Sequence, residues 1–242
     1  MASARWTDVA CDPNSEPARN YRRSRLAAAW REPVENRIAY LSTLVAGKRV
    51  LDVGVVDHAI GRQPDDRWLH GEVVKRAATC LGVDVLPKPL AELKARGFNV
   101  MCRDVTREPL EARFDVIVCG EVIEHLGEPG RLFHAAAMML EPGGRLVLTA
   151  PNPYYFRHVR DNSRGMLHES VDHVTLWVPS GIAELAEREG MALETYRGVM
   201  GRKMKKARGR LRYELVKRCF GGPATDRFSR TLIYECVKPE GR

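Results

Sequence analysis

Two glutamates and a histidine stand close together in the stretch Phe114–Leu126, which reads FDVIVCGEVIEHL. Its apolar part, Val116–Cys119, predicts a buried strand of a parallel sheet. A helix that begins just after this strand would place Glu121, Glu124 and His125 on one face. Carboxylate oxygens and neutral imidazole nitrogens suit a divalent cation. The pattern therefore predicts a metal site at the carboxyl end of the strand, where open α/β sheets bind their ligands.

Strand and helix patterns alternate along most of the chain. The predicted strands are Arg49–Gly54, Leu81–Val85, Asn99–Cys102, Phe114–Gly120, Arg145–Ala150, Leu193–Gly198 and Thr231–Val237. The predicted helices are Leu69–Thr79, Pro89–Arg96, Glu121–Leu140 and Pro179–Glu189. Alternation of this kind predicts an α/β fold, a doubly wound, mostly parallel seven-stranded sheet with helices on both faces. We expect the last two strands to form an antiparallel edge.

The N-terminal residues differ in pattern from the alternating part. Residues 1–20 are polar and predict an irregular arm. Apolar residues then recur at helical spacing up to position 44, interrupted near Pro33, which predicts two helices. We therefore divide the chain into 1–47, an arm and helices covering the site, and 48–242, the ligand-binding domain, with a basic insertion at about 199–218.

The net charge of +8 is concentrated in one segment. Residues 197–218 contain ten basic residues and a single acid, Glu214, so the rest of the chain is close to neutral. We favour an exposed loop or helix face, or a subunit contact in a homodimer, as the explanation. The alternative is a nucleic-acid surface on which these side chains neutralise phosphates.

Other features of the composition point to a cytoplasmic protein. The sequence has no apolar run long enough to cross a membrane and no apolar signal-peptide core near its start. Its six cysteines include no Cys-x-x-Cys pair, and several fall in predicted strands. We therefore expect reduced, buried cysteines, with no disulfide framework and no zinc site.

An acid stands at or just after the end of each of the first three predicted strands. The first strand ends in VLDVG, with Asp52 and Gly54, the second ends at Asp84, and the third is followed by Asp104. A single aspartate there is often a turn former or a helix cap. Three such acids on successive strands instead indicate a nucleoside-containing ligand, with Asp84 well placed to bind a ribose diol.

With these residues in view, the chain resembles the class I, Rossmann-like S-adenosylmethionine-dependent methyltransferases. The resemblance extends from about Lys48 to Tyr155 and includes the turn LEPGGRLVLTAPNP, residues 140–153. It implies that S-adenosylmethionine is the cofactor, with its methionine part near the first strand, its ribose at the second and its adenine near the third. The implied cofactor-binding residues are Asp52, Gly54, Asp84, Val85, Asp104, Val105 and Gly120.

The loop after the first strand departs from that family. The family loop reads Asp-x-Gly-x-Gly-x-Gly, whereas Gly54 is followed here by Val55 and Val56 and then by a charge-rich insertion at residues 61–67. We therefore expect the loop to follow a different path around the cofactor. The dinucleotide glycine fingerprint is also absent, so a nicotinamide cofactor is the weaker interpretation.

The metal pattern has its own relatives. The small-RNA 3′-terminal 2′-O-methyltransferases have a similar Glu-x-x-Glu-His set and a later Asp-His before an aromatic, and the ubiquinone-pathway catechol O-methyltransferases are similar in the first part. The resemblance implies Mg²⁺, or Mn²⁺, bound by Glu121, Glu124, His125 and His173, with both histidines catalytic. Many methyltransferases of this class, however, carry an acid and a Glu-His pair here without a metal.

A cation at this position would indicate which kind of group accepts the methyl. It would chelate two adjacent hydroxyls and lower the pKa of one, help that an alcohol needs and an amine does not. We therefore predict methyl transfer to a hydroxyl of a sugar or another vicinal diol, including saccharides, polysaccharides and natural-product glycosides. The alternatives are an RNA 3′-terminal ribose, a catechol, or cofactor binding without catalysis.

Overall fold

A seven-stranded sheet forms the centre of the computed structural model, which describes residues 5–56, 68–166, 170–200 and 207–240. The strands are β1 (Arg49–Val53), β2 (Thr79–Asp84), β3 (Val100–Cys102), β4 (Phe114–Gly120), β5 (Leu140–Pro151), β6 (Ala192–Val199) and β7 (Thr231–Val237). Their order across the sheet is β3-β2-β1-β4-β5-β7-β6. β7 runs antiparallel to both neighbours, and the other pairs are parallel. The predicted mostly parallel α/β fold is confirmed.

Helices cover both faces of the sheet. They are α1 (Glu16–Ala29), α2 (Arg37–Val45), α3 (Leu69–Arg76), α4 (Pro87–Ala95), α5 (Pro129–Met139), α6 (Phe156–Asn162), α7 (Pro179–Arg188) and α8 (Ala207–Phe220). Because side chains alternate along a strand, adjacent residues of β1 enter different cores. Leu51 packs in one core with Ile117 and Phe133, and Val50 packs in the other with Leu41. Burial of each such side chain stabilises the fold by about 2 kcal/mol.

The order of the strands determines where a ligand can bind. Strand order reverses between β1 and β4, with β2 and β3 on one side and β5, β7 and β6 on the other. Open parallel sheets bind ligands outside the carboxyl ends of the strands at such a switch point. The acids after β1, β2 and β3 and the residues after β4 therefore face a common crevice.

The predicted helix Glu121–Leu140 is wrong in its first half. A short 3₁₀ turn occupies Ile123–His125, and α5 begins only at Pro129. A proline disfavours helical backbone at the residue before it, and the residue before Pro129 is extended in φ, at −128°. The two glutamates and the histidine are therefore not arranged by one continuous helix.

The ends of the chain are more helical than predicted. Residues up to 20 were expected to be irregular, yet α1 begins at Glu16, where the Ser15 side chain accepts a hydrogen bond from the Ala18 N–H. Part of the basic insertion forms α8, on which Tyr213 is a deeply buried side chain. This segment has little apolar periodicity, so its helical pattern is weak. The lysines at 203, 205 and 206 lie outside the described residues.

The segment between α1 and α2 runs along β6 and carries an arginine to the crevice. Trp30 and Val34 each make an isolated parallel bridge with that strand. The side chain of Asn36 then caps α2, accepting a hydrogen bond from the N–H of Ala39 at 3.1 Å. Arg37, the first residue of α2, thereby reaches the cavity at the carboxyl edge of the sheet.

The structure bears on two other expectations from the sequence, those about membrane helices and cysteines. No helix among the described residues has both the length and the apolar character that a membrane crossing requires. All six cysteines are free, but Cys11, Cys102 and Cys219 are exposed, so the expectation that the cysteines are buried holds only in part. Cys102 is exposed because β3, on which it lies, is an edge strand.

A partly buried carboxyl group joins the C-terminal part of the sheet to α1. Oδ1 of Asp226 accepts a hydrogen bond from Nε1 of Trp30 at 3.1 Å, and its backbone carbonyl accepts one from the Asn152 side chain at 2.8 Å. Burial raises the pKa of Asp226 to about 7. In the unfolded chain an aspartate pKa lies near 3.9. Between these values the native state holds a proton that the unfolded chain has released.

We therefore expect Asp226→Asn to stabilise the protein at high pH. Stability from the protonated carboxyl is present below about pH 4 and is lost as the pH rises through about 7. The neutral amide keeps an oxygen acceptor for Trp30 and cannot ionise. At pH 8 the free energy of unfolding should rise by about 4 kcal/mol relative to wild type, with little difference at pH 4. Urea denaturation across this range measures both values, and a pH-independent difference would contradict the prediction.

Candidate active site

A cavity of about 1250 Å³ opens at the carboxyl edge of the sheet. It extends from the ends of β2 and β3 across β1 and β4 to the start of β7. Every site residue predicted from the sequence lines it: Asp52, Gly54, Asp84, Val85, Asp104, Val105, Gly120, Glu121, Glu124, His125 and His173. The predicted cofactor half and the predicted metal half thus belong to one continuous site.

Gly54 is the position in this cavity where a side chain is least tolerable. Its φ is +77°, and a Cβ there would lie 2.2 Å from Cγ2 of Val122. Its N–H donates to the carbonyl of Val83 at 2.8 Å, which ties the end of β1 to β2. Glycine is therefore required both by the left-handed backbone and by the close approach of the segment after β4.

Asp52 is buried and paired with a histidine that is not among the predicted site residues. Nδ1 of His70, at the start of α3, lies 2.9 Å from Oδ2 of Asp52. His70 packs edge-on against Trp68, and its Nε2 is buried without a hydrogen-bond partner. Because a carboxylate only accepts hydrogen bonds, it orients the ring with Nδ1 as donor. The pair fixes α3 against the floor of the cavity.

The described start of the loop after β1 is held by hydrogen bonds to Asp84 and Trp68. The N–H of Val56 donates to Oδ2 of Asp84 at 2.9 Å. Val55 is buried, and its carbonyl accepts a hydrogen bond from Nε1 of Trp68 at 2.9 Å. Oδ1 of Asp84 accepts from the N–H of Val85 at 2.7 Å. The Asp84 carboxylate therefore holds the loop while facing the cavity. The loop's continuation at residues 57–67, including the charge-rich insertion, lies outside the described residues.

Asp104 has a local structural role at the mouth of the cavity. Its Oδ1 accepts hydrogen bonds from the N–H of Thr106 at 3.0 Å and from the Thr106 hydroxyl at 2.6 Å, and its Oδ2 lies 3.4 Å from Nε of Arg107. This is the turn-forming use of an aspartate. The buried Val105 beside it presents an apolar surface to the cavity, which suits the face of an adenine ring.

Glu121 occupies strained backbone and does not join the metal pattern. Among the described residues it is the one non-glycine residue with a positive φ, 59°. Its Oε2 pairs with Arg37 at 3.1 Å, and its Oε1 accepts from the Thr231 hydroxyl at 3.4 Å. Such strain concentrates at functional sites. The predicted meeting of Glu121 with Glu124 on one helix face is wrong, because no helix forms there and Arg37 binds the carboxylate.

His173 is brought to the site by hydrogen bonds to the backbone. The carbonyl of Glu124 accepts from the N–H of Val174 at 2.9 Å and from that of Thr175 at 3.2 Å. Nδ1 of His125 lies 3.3 Å from the carbonyl and from Oδ2 of Asp172. These contacts seat the segment before α7 directly over the 3₁₀ turn, although about fifty residues separate them in the chain.

Three of the four predicted metal ligands form a compact group. One ligand atom from each of Glu124, His125 and His173 lies within 4.8 Å of the others, and the two imidazole centroids are 4.9 Å apart. Oε2 of Glu124 and Nδ1 of His173 are buried without hydrogen-bond partners. Burial, together with a smaller contribution from the charge of Glu121, raises the pKa of Glu124 to about 7. Buried carboxylate oxygens and imidazole nitrogens without hydrogen-bond partners are stabilised by a cation placed between them.

A match between the sequence and a model of a protein family identifies the family. Residues 19–196 match the model of a family described as a methyltransferase domain, which covers more than half of the chain. The chain belongs to this methyltransferase family. It is a class I methyltransferase, and S-adenosylmethionine is the cofactor that its fold and family support.

Curated relatives of the methyltransferase are more distant and only partly covered. It is 32% identical over 116 residues to the ubiquinone biosynthesis O-methyltransferase of Pseudomonas fluorescens, covering 45% of this chain and 46% of that one. The protein of the same name from Coxiella burnetii is 27% identical over 160 residues, 62% of each chain. The chain therefore spans about half to three fifths of the length of these relatives.

Solved structures agree with the fold. Magnesium protoporphyrin IX methyltransferase from Synechocystis, solved with bound SAH, superposes with a TM-score of 0.55 at 17% identity. The match covers 83% of this chain and 80% of that one. At this identity the likeness concerns the Rossmann-like fold alone.

Sequence reasoning missed three residues of the site. The sequence distinguishes His70 only as a histidine at the start of a predicted helix. Arg37 lies in a region that was expected only to cover the site. Asp172 directly precedes the predicted ligand His173, but its contact with His125 depends on the fold. Their partners, Asp52 and Glu121 among them, lie far away in sequence.

A matched pair of glycine substitutions tests the cavity floor. Gly97 also has a positive φ, +88°, but a Cβ there meets nothing within 4 Å. Gly97→Ala should therefore cost about 1 kcal/mol of unfolding free energy from backbone strain alone. Gly54→Ala should cost more and also weaken S-adenosylmethionine binding at least about tenfold, because Val122 must move. Urea denaturation and calorimetric titration measure both effects, and equal behaviour of the two variants would refute this account of Gly54.

Proposed function

We propose that the methyltransferase transfers a methyl group from S-adenosylmethionine to one hydroxyl of an adjacent pair, on a sugar, another vicinal diol or a catechol, with the help of a divalent cation. The observation that carries the proposal is the compact group of Glu124, His125 and His173 in the same cavity as the cofactor residues. Supporting it are the unpartnered Oε2 of Glu124 and Nδ1 of His173.

The kinds of ligand atoms in this group also indicate which cation it would bind. Two imidazoles and one carboxylate form the group, while the second carboxylate, Glu121, is engaged by Arg37. Mg²⁺ prefers oxygen ligands, whereas imidazole suits first-row transition ions. We therefore propose Mn²⁺ or a similar ion ahead of Mg²⁺. Three protein ligands leave further coordination positions for the acceptor.

The residues of the chain position the acceptor and the cation. When bound, the cation supplies positive charge that lowers the pKa of a coordinated hydroxyl and orients the hydroxyl pair. His125 and His173, predicted as catalytic, act in this proposal as its ligands. Asp172, 3.3 Å from Nδ1 of His125, keeps that ring oriented. Leu176 lines the cavity on the same side and helps exclude water.

The names of the curated relatives support an oxygen acceptor. The two described above are O-methyltransferases by name. Oxygen as the acceptor also agrees with the cation's purpose, since an alcohol needs its pKa lowered before it can attack a methyl group.

Paired glutamine substitutions test the cation proposal. Glu124→Gln should lower the affinity for Mn²⁺ by at least about a hundredfold and remove turnover, because it deletes a ligand. Glu121→Gln should change the affinity less than tenfold, because that carboxylate faces Arg37. Calorimetric titration with Mn²⁺ and with Mg²⁺ measures both, and cofactor affinity serves as the folding control. Turnover that survives both chelation and Glu124→Gln would exclude a cation-assisted reaction.

A second candidate function is methylation of an RNA 3′-terminal ribose. The observation that favours it is a chain of aromatic contacts leading from the basic helix α8 to the cavity. Tyr213 of α8 contacts Phe228, with ring centroids 6.4 Å apart, and Phe228 contacts Phe156 of α6 at 6.1 Å. His158 of α6 lines the cavity. A single-stranded RNA bound along α8 would therefore lead toward the cavity.

Charge reversal on α8 distinguishes the two functions. Arg210 and Arg212 are exposed on this helix. If RNA binds there, Arg210→Glu with Arg212→Glu should reduce the slope of log affinity against log salt by about 1.4, or about 0.7 for each lost phosphate contact. Reversal of Lys88 and Lys94, exposed on α4 beside β3, is the control of equal charge. Fluorescence anisotropy with a short RNA measures the slopes, and identical slopes for both double variants would exclude α8 as an RNA surface.

A further inference from the structure

Three arginines line the cavity, and they differ in their partners. Arg37 is paired with Glu121 at 3.1 Å. Arg103 donates to the carbonyl of Glu108 at 2.9 Å and lies 3.4 Å from its carboxylate. The Arg230 side chain forms no hydrogen bond or ion pair with any described residue. Among the described arginines of the cavity, Arg230 therefore has a guanidinium available to a ligand.

The backbone of Arg230 is held firmly. Its carbonyl accepts a hydrogen bond from the N–H of Asn152 at 2.8 Å. The preceding residue, Ser229, is fully buried, and a Cβ added to Gly198 would lie only 2.0 Å from its Oγ. The following residue, Thr231, pairs with Pro151 in the sheet. The side chain is thus presented to the cavity from a fixed point.

The topology of the sheet assigns Arg230 to the acceptor end of the cavity. The predicted cofactor acids lie at or just after the ends of β1, β2 and β3, on one side of the switch point. Because β7 is antiparallel, its first residue lies at the carboxyl edge beyond β4 and β5. Thr231 there donates to Glu121, which follows β4. Arg230 is therefore on the same side as Glu124 and His173.

From this placement we infer that Arg230 binds an anionic oxygen group, a carboxylate or a phosphate, carried by the acceptor itself. The inference rests on the proposed function, since it concerns the acceptor of that same site. A guanidinium binds both groups through paired, charge-assisted hydrogen bonds. Neutral sugars and simple catechols offer it no such partner. The acceptor is then a diol or catechol with an acidic substituent.

Matched acceptor pairs test the inference. The first pair is 3,4-dihydroxybenzoate and its methyl ester, and the second is ribose 5-phosphate and ribose. With S-adenosylmethionine and Mn²⁺ present, the wild-type protein should favour the anionic member of at least one pair by tenfold to a hundredfold in kcat/KM, the range expected of a hydrogen bond to a charged group. The pair with the larger ratio identifies the acid as carboxylate or phosphate.

Substitutions at two neighbouring arginines test whether Arg230 causes the preference for the anionic acceptor. Arg230→Gln should bring the ratio close to one, and Arg230→Lys should retain part of it. Arg227 is exposed, donates to the carbonyl of Ala224 and does not line the cavity, so Arg227→Gln is the control of equal charge. Calorimetric titration of each anionic acceptor into the SAH-bound protein gives a second readout, with weaker binding expected only for the Arg230 variants.

The outcomes separate the inference from the proposed function. If Arg230→Gln keeps the wild-type ratio, or if Arg227→Gln loses it equally, Arg230 does not recognise the acceptor. If the neutral members are methylated as well as the anionic ones by the wild-type protein, the inference is overturned while the proposed function stands. If none of the four compounds binds or is methylated, the proposed acceptor class is wrong and the inference falls with it.

Discussion

The carbonyl oxygen of Glu124 is the point on which the proposed acceptor half of the site depends. It accepts hydrogen bonds from two successive N–H groups, those of Val174 and Thr175. Two bonds to adjacent groups fix both the position and the direction of a segment that has no regular secondary structure of its own. His173 precedes these residues, and its ring lies beside the turn that carries Glu124 and His125. Without this backbone contact the two histidines would belong to unrelated loops.

The two halves of the cavity are built by different means. On the cofactor side, carboxylates are satisfied by neighbouring N–H groups and by His70, so they are held rigidly in the positions that strand ends provide. On the acceptor side, polar atoms of Glu124 and His173 are buried and lack partners. Buried polar atoms without partners cost free energy. The carboxylates of the first half therefore have their partners in the folded chain, although Nε2 of His70 has none, and the buried atoms of the second half would gain partners from the proposed cation.

Those parts of the site that follow from a short stretch of chain were predictable from the sequence. The strand before Gly120 and the acids at the ends of β1 and β2 follow from local patterns, and the structure agrees with each. The arrangement around Glu121 was not predictable. Its left-handed backbone and its pairing with Arg37 depend on contacts with residues distant in sequence. The same holds for His70, whose partner is buried on a strand.

The antiparallel seventh strand has a consequence for how acceptor specificity can change. β6 ends and β7 begins at neighbouring positions, Val199 opposite Thr231, on the edge of the sheet that carries the site. The whole connection between them, with α8 and the turn that holds Asp226, therefore starts and returns beside the reaction centre. Its length and composition can vary without altering the pairing of any strand or the acids at the ends of β1, β2 and β3. A fold of this kind can acquire new acceptors by exchanging one connection while its transfer chemistry stays intact.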